Sequence, residues 1–165
     1  MTSSPPMAPA HHPVPRVRQR AAAIVRREDG RVLLHRLQRD AFWALPGGGI
    51  EPGESAAQAI TRELQEELNI VVALEDLAFV VENFFNYAGV AYHEIGLYLH
   101  ARPLPGSLLD VSAGPYEGVE GDQKLVFAWF DCEQLAGLDL RPAFLRSALI
   151  RETAGVQHIV HRDAP

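Results

Sequence analysis

Residues 48–70 read GGIEPGESAAQAITRELQEELNI. A Gly-rich turn precedes a segment with helical periodicity. Ala57, Ile60, Leu64 and Leu68 recur at spacings that share one helix face, which predicts a helix from about Ala56 to Leu68 packed inward along that stripe. Ser55 stands at the N-cap position. Glu63, Glu66 and Glu67 fall at i, i+3 and i+4 and so project within about 100° of one another. Like charges so placed repel by a few tenths of a kcal/mol per pair. A face made only for stability would interleave Lys or Arg; a bare acidic face can also be merely solvated. Carboxylates gathered on a rigid element suit a hard cation, Mg2+ or Mn2+, which takes oxygen ligands.

The full spacing decides between these. Gly48, five residues, Glu54, seven residues, Arg62-Glu63-Leu64, one residue, Glu66-Glu67, then Asn69-Ile70 resembles the signature of the Nudix (MutT-like) hydrolases. Asn69 stands where that signature has Gly; both residues adopt the positive φ that ends a helix, so the helix end is expected to be kept. The resemblance implies an α/β fold of Nudix type, an α-β-α sandwich with a mixed sheet between helices. It implies that the Gly47 backbone carbonyl joins Glu63, Glu66 and Glu67 in holding Mg2+, and that Glu54 pairs with Arg62 to brace the loop. It also implies hydrolysis of a nucleoside diphosphate linked to another moiety X. Glu63 or Glu66 is the expected base. An acidic residue from a loop outside the box often completes such sites, which makes Glu117 and Glu120 candidates as further ligand or base, without ranking. The rival reading is a Nudix-fold module that senses nucleotides without cleaving them; such modules typically lose box carboxylates, and all four are present here. Within the family a tyrosine 16 to 18 residues past the box tends to mark dinucleoside polyphosphate hydrolases. Tyr87 stands 17 past Ile70, while Phe85 and Asn86 stand where ADP-ribose hydrolases tend to carry proline. Nucleoside triphosphates remain open as substrates, and many relatives dimerise.

Composition sets outer bounds. With 165 residues and 47% apolar content the chain is the size of one ordinary globular domain. A net charge of −6 argues against a general nucleic-acid binder and also against an unaided enzyme of polyphosphates. A bound divalent cation inverts the local field and removes that objection. The single cysteine, Cys132, allows no internal disulfide, which fits a reducing cytoplasm; no apolar run is long enough to span a membrane.

Around the box, the five prolines within residues 1–15 predict an extended tail, with His11 and His12 in it, leaving residues 16–165 as the domain. Residues 20–27 and 31–37, on either side of Asp29-Gly30, predict a hairpin. His35, Arg36 and Arg39 then either end a solvated strand or meet substrate phosphate. Residues 70–74, 77–87 and 90–100 predict strands, the last two paired across Ala88-Gly89. Glu82 and Glu94 are costly inside apolar runs unless paired or wet, so each either lines the cleft or faces solvent. Phe84, Phe85 and Tyr87 are placed for base stacking or for core packing. Residues 101–123 predict a long loop, which at that length is either functional or disordered. A strand at 124–130, a short helix capped by Asp131 and a helix from Pro142 to about Thr153 complete the expectation.

Overall fold

The computed structural model describes residues 14–151 and 154–163. The expected tail, with His11 and His12, falls almost wholly outside them. In chain order the elements are β1 (Arg16–Val25), β2 (Val32–Leu37), β3 (Gly47–Gly49), α1 (Ala56–Leu68), β4 (Val72–Tyr87), β5 (Val90–Pro103), α2 (Leu108–Val111), β6 (Tyr116–Glu120), β7 (Gln123–Phe130), α3 (Cys132–Leu135), α4 (Leu145–Ala148) and β8 (Gln157–Arg162). Two sheets form, one ordered β3-β1-β5-β4-β8 and one ordered β2-β7-β6. The first is mixed: β1 runs parallel to β5 and β4 parallel to β8, whereas β1·β3 and β4·β5 are antiparallel.

The helices lie on both faces, as an α-β-α sandwich requires. Ala59, Ile60 and Leu64 of α1 pack with Ala21, Ala23 and Val25 on one face of β1. Leu135 of α3 and Leu145 of α4 pack with Ala22 and Ile24 on the other. Residues Ala21–Val25 are therefore buried on both sides, which is why they read as an unbroken apolar run rather than an alternation. Among the described residues no helix is long and apolar enough to cross a membrane.

Four expectations change. The turn at Asp29-Gly30 exists, with Gly30 at φ 86° and its amide donating to the Arg27 carbonyl at 2.9 Å. Beyond the single bridge Arg26↔Val32, however, the strands it joins do not form a hairpin. β1 is claimed on both edges by β3 and β5, so β2 leaves to pair with β7. Segments 70–74 and 77–87 are one strand, with register shifts between Leu74 and Phe79 absorbing Glu75 and Asp76. The 101–123 stretch is not a long loop, because α2 and β6 are built from it. The proline-led helix is a single turn, Leu145–Ala148, since the preceding amides of Leu145 and Arg146 bond three residues back, to Pro142 and Ala143, and tighten the segment into turns. The C-terminal stretch, left without an expectation, forms β8.

Strand β6 reaches α1 through a residue without a side chain. A Cβ on Gly118 would lie 2.5 Å from the Glu67 carbonyl oxygen and 2.7 Å from the Phe127 ring. Backbone cannot give way as a flexible side-chain tip can. Gly118→Ala is expected to destabilise the fold by about 1–3 kcal/mol, measured by urea denaturation, whereas Gly121→Ala, with open space around its Cβ position, should show only the smaller strain of its φ of 56°.

Candidate active site

Helix α1 begins with a reciprocal capping box. The Gln58 amide donates to Ser55 Oγ at 3.2 Å and the Ser55 amide donates to Gln58 Oε1 at 2.9 Å. It ends on Asn69 at φ 55°, ψ 41°, the left-handed turn expected of that residue. The acidic face is not uniform. Glu66 is exposed on its side chain by 62%, Glu63 is mostly covered, and Glu67 lies in the inner stripe at 4%. Glu67 is thus covered at the cleft while Glu66, one residue before it, is open to solvent.

Arg62 organises the loop that precedes the helix. Its Nε and Nη2 donate to the two oxygens of Glu54 at 2.9 and 3.0 Å, and Nη2 also donates to the Gly49 carbonyl at 2.9 Å. Its Nη1 donates to Glu63 Oε1 at 2.9 Å and reaches Glu66 Oε2 at 3.4 Å. These bonds hold the Arg62 guanidinium far up its range and, through its hydrogen bond, hold the Glu54 carboxyl below the usual carboxylate value. Burial pushes the Glu63 carboxyl up, Arg62 pulls it down, and the charges of Glu67 and Glu66 add to the push.

The glycines make this possible by close approach. Gly47 sits at φ 140°, where a Cβ would stand 2.1 Å from the Ala21 carbonyl oxygen. A Cβ on Gly48 would stand 2.2 Å from the Glu63 carboxylate. Strand β3 is thus pressed between β1 and the acidic helix, and its glycine backbone forms one wall of a cleft of about 320 Å³. That volume is in the range of small-ligand sites.

Other walls come from the sheets. Strand β1 contributes Arg18 and Arg20, β2 and its following loop contribute His35, Arg36, Asp40 and Phe42, and β4 contributes Asn83, Phe85 and Tyr87. Strand β5 contributes Glu94, 2% exposed, whose Oε2 accepts from Arg18 Nε at 2.6 Å. Arg18 also lies over the Phe85 and Tyr92 rings, at 5.2 and 4.7 Å. Glu120 at the end of β6 reaches the cleft. Among the expected substrate contacts, Arg36, Tyr87 and Glu94 face this space. Phe84 does not: its ring stacks on His93 at 4.2 Å under Arg162, on the opposite face of the sheet, because alternation sends Asn83 and Phe85 inward. The same alternation turns Glu82 away to His158, at 2.9 Å; on β6 Glu117 and Glu120 are both exposed, and of the two it is Glu120 that borders the cleft. Arg39 stays in solvent, 61% exposed, beside Asp40.

The sequence reading missed Arg18, Arg20 and Asn83. The signal for the two arginines was present in RVRQR, residues 16–20, whose arginines alternate at strand period ahead of the apolar run; nothing in the sequence marked Asn83.

A cation fits the donor set. Oε2 of Glu67 is buried without a hydrogen-bond partner, and Gly48 leaves room for the Glu63 carboxylate. Among the described residues no three acidic, His or Cys side chains already converge into a cage. The Arg62 guanidinium stands between Glu63 and Glu66 and neutralises them as a cation would.

A depressed acid such as Glu54 stabilises the fold above its unfolded value, and this contribution is lost as pH falls through the folded value. Glu54→Gln is therefore expected to lower stability at neutral pH, with the gap to wild type closing as pH falls from about 5 towards 3. Denaturant titrations at stepped pH check this; a gap constant across that range contradicts the brace.

Comparison with known proteins agrees with this architecture. A model of the NUDIX domain matches residues 16–151. A MutT-like protein of Streptomyces ambofaciens is 40% identical over 62 residues, 38% of this chain and 40% of that protein. The 8-oxo-dGTP diphosphatase of Escherichia coli K12 is 45% identical over 56 residues, 32% of this chain and 43% of its own. The match to each thus spans about two-fifths of the relative's length. Among solved structures, the MutT protein of Methanosarcina mazei Go1 superposes with a TM-score of 0.59 at 26% identity, covering 83% of this chain and 93% of that one. A MutT protein of Bacillus halodurans shares the fold with a TM-score of 0.64 at 18% identity over 90% and 91% of the two chains. With the domain match taking in every element from β1 to α4, the chain belongs to the Nudix family of hydrolases.

Proposed function

We propose that this protein is a cation-dependent hydrolase of the pyrophosphate linkage in nucleoside diphosphate derivatives, with residues 16–165 acting as one catalytic domain. The observation that carries it is the meeting of two opposite charge sets across one cleft. Glu63 and Glu67 of α1 stand on one side with the Gly47–Gly49 backbone; Arg18, Arg20 and Arg36 stand on the others. A site for a polyphosphate needs both, since catalysis of phosphoryl transfer is mainly positioning and charge neutralisation. A divalent cation held by Glu63, Glu66, Glu67 and the Gly47 carbonyl, with Glu120 as a further donor, would neutralise phosphate charge and acidify a bound water.

The chain's own groups do the rest. Arg20 makes its hydrogen bond to the Leu45 carbonyl, at 3.0 Å, through Nη2. Arg36 is braced through Nη1 by the Gln38 and Asp40 carbonyls, at 3.2 and 2.7 Å, and lies 5.1 Å over Trp43. Both are cations held in place with charge to offer an anion. Glu63 is the proton acceptor we favour. Arg62 occupies Oε1, so Oε2 is the oxygen left to take a proton from the attacking water, and burial raises the affinity of that carboxyl for it. Arg62 and Glu54 act on orientation rather than on substrate. Phe85 and Tyr87 line the part of the cleft away from the box, where a base or the moiety X would lie. The Escherichia coli relative's name supports nucleoside triphosphates as the first class to try; Tyr87 supports dinucleoside polyphosphates as the second.

Purified protein with Mg2+ or Mn2+ and a panel of these nucleotides tests the reading. Glu63→Gln is expected to lower kcat about 10³-fold with an unchanged melting temperature, and Arg20→Ala to raise KM about tenfold with a smaller change in kcat. Chelation should abolish turnover reversibly. If nothing on the panel is cleaved, and Glu66→Gln alters neither cation nor nucleotide binding, the enzymatic reading fails.

A further inference from the structure

One group outside the box faces the same cleft without a partner. His35 is 8% exposed, with its ring 5.3 Å from Phe127. Its Nδ1 lies 3.5 Å from Oε2 of Glu67, and neither atom has a hydrogen-bond partner. Nine-tenths of the His35 side chain and nearly all of the Glu67 side chain are covered, so water does not readily satisfy either atom.

The spacing is informative. At 3.5 Å a nitrogen and an oxygen are at the outer limit of hydrogen bonding. Two ligands each about 2.1 Å from one cation stand about 3.0 Å apart at a right angle and about 3.4 Å apart at a tetrahedral one. The pair is therefore set for a shared ion more than for a shared proton. The imidazole is also held in place by its backbone. The His35 amide donates to the Ala44 carbonyl and the Ala44 amide to the His35 carbonyl, each at 2.9 Å, while Phe127 pairs with His35 from β7. A strand position fixed on both edges gives the ring little freedom to turn aside.

We propose that His35 is a nitrogen ligand of the cation held by Glu67, so that this site has a mixed nitrogen and oxygen donor set. The proposal rests on the reading that the α1 carboxylates hold a divalent ion. Carboxylate-only sites suit Mg2+, whereas imidazole favours first-row transition ions. As a ligand the ring would present its Nδ1 lone pair and carry its proton on Nε2. The consequence is a site that prefers Mn2+ to Mg2+ more strongly than its carboxylates alone would dictate.

Pulsed electron paramagnetic resonance on the Mn2+-loaded full chain tests this without reference to turnover. Nitrogen modulation from a directly bound imidazole is expected, and labelling the histidines with 15N should change it. His35→Gln should remove the modulation, weaken Mn2+ about tenfold and leave Mg2+ within about twofold. His35→Asn serves as a second variant, each checked by thermal melting. Bound Mn2+ with no nitrogen modulation in wild type overturns the proposal while leaving the carboxylate site intact; His35 would then only orient Glu67. Modulation that survives in both variants overturns it too, by assigning the nitrogen to another histidine. Failure to bind Mn2+ at all overturns the proposal and the cation reading together.

Discussion

Everything around the cleft depends on how one guanidinium is divided. Arg62 donates to both oxygens of Glu54, to the Gly49 carbonyl and to Glu63, and reaches Glu66. No single one of these bonds is strong where water reaches it. Their geometry matters more, because a planar fork with several donors fixes the mutual position of everything it touches. The loop cannot swing without breaking contact with the helix, and Glu63 cannot rotate without leaving Arg62. A lysine at this place would supply the charge and lose the arrangement.

What the sequence made legible follows from how local each cause is. The helix from Ala56 to Leu68 was readable because its stripe, its Ser55 cap and its Asn69 end lie within a few residues of one another. The Glu54–Arg62 pair came only with the family resemblance, since seven residues of turn and helix separate the two. Other features depend on partners far along the chain. Nothing within residues 20–37 says that β5 would take the edge of β1 which a hairpin would have used. The burial of Glu67 is likewise non-local: it arises where α1 meets His35 of β2 and Gly118 of β6, which helix periodicity does not see. That Glu120 rather than Glu117 borders the cleft follows from 116–120 being a strand, because a strand puts the two on opposite faces.

The cleft divides by chemistry along its length. Near β3 and α1 it is acidic, lined by glycine backbone and carboxylates. Towards β4 and β5 it carries aromatic rings and buried polar groups, including Asn83, whose Oδ1 has no partner, and Glu94, whose charge is answered by Arg18. The first half is made of residues the family signature contains. The second lies on strands outside it.

Strand β1 joins these halves, and its position has a consequence for dynamics. Arg18 and Arg20 stand on the same strand as Ala21–Val25, which is hydrogen-bonded along both edges and packed on both faces. Amides so enclosed exchange with solvent only when most of the molecule opens. The two cations are thus carried on the open end of the strand whose other half is enclosed, rather than on a loop. Selectivity exerted through these cations would then be a static property, the same before and after substrate arrives.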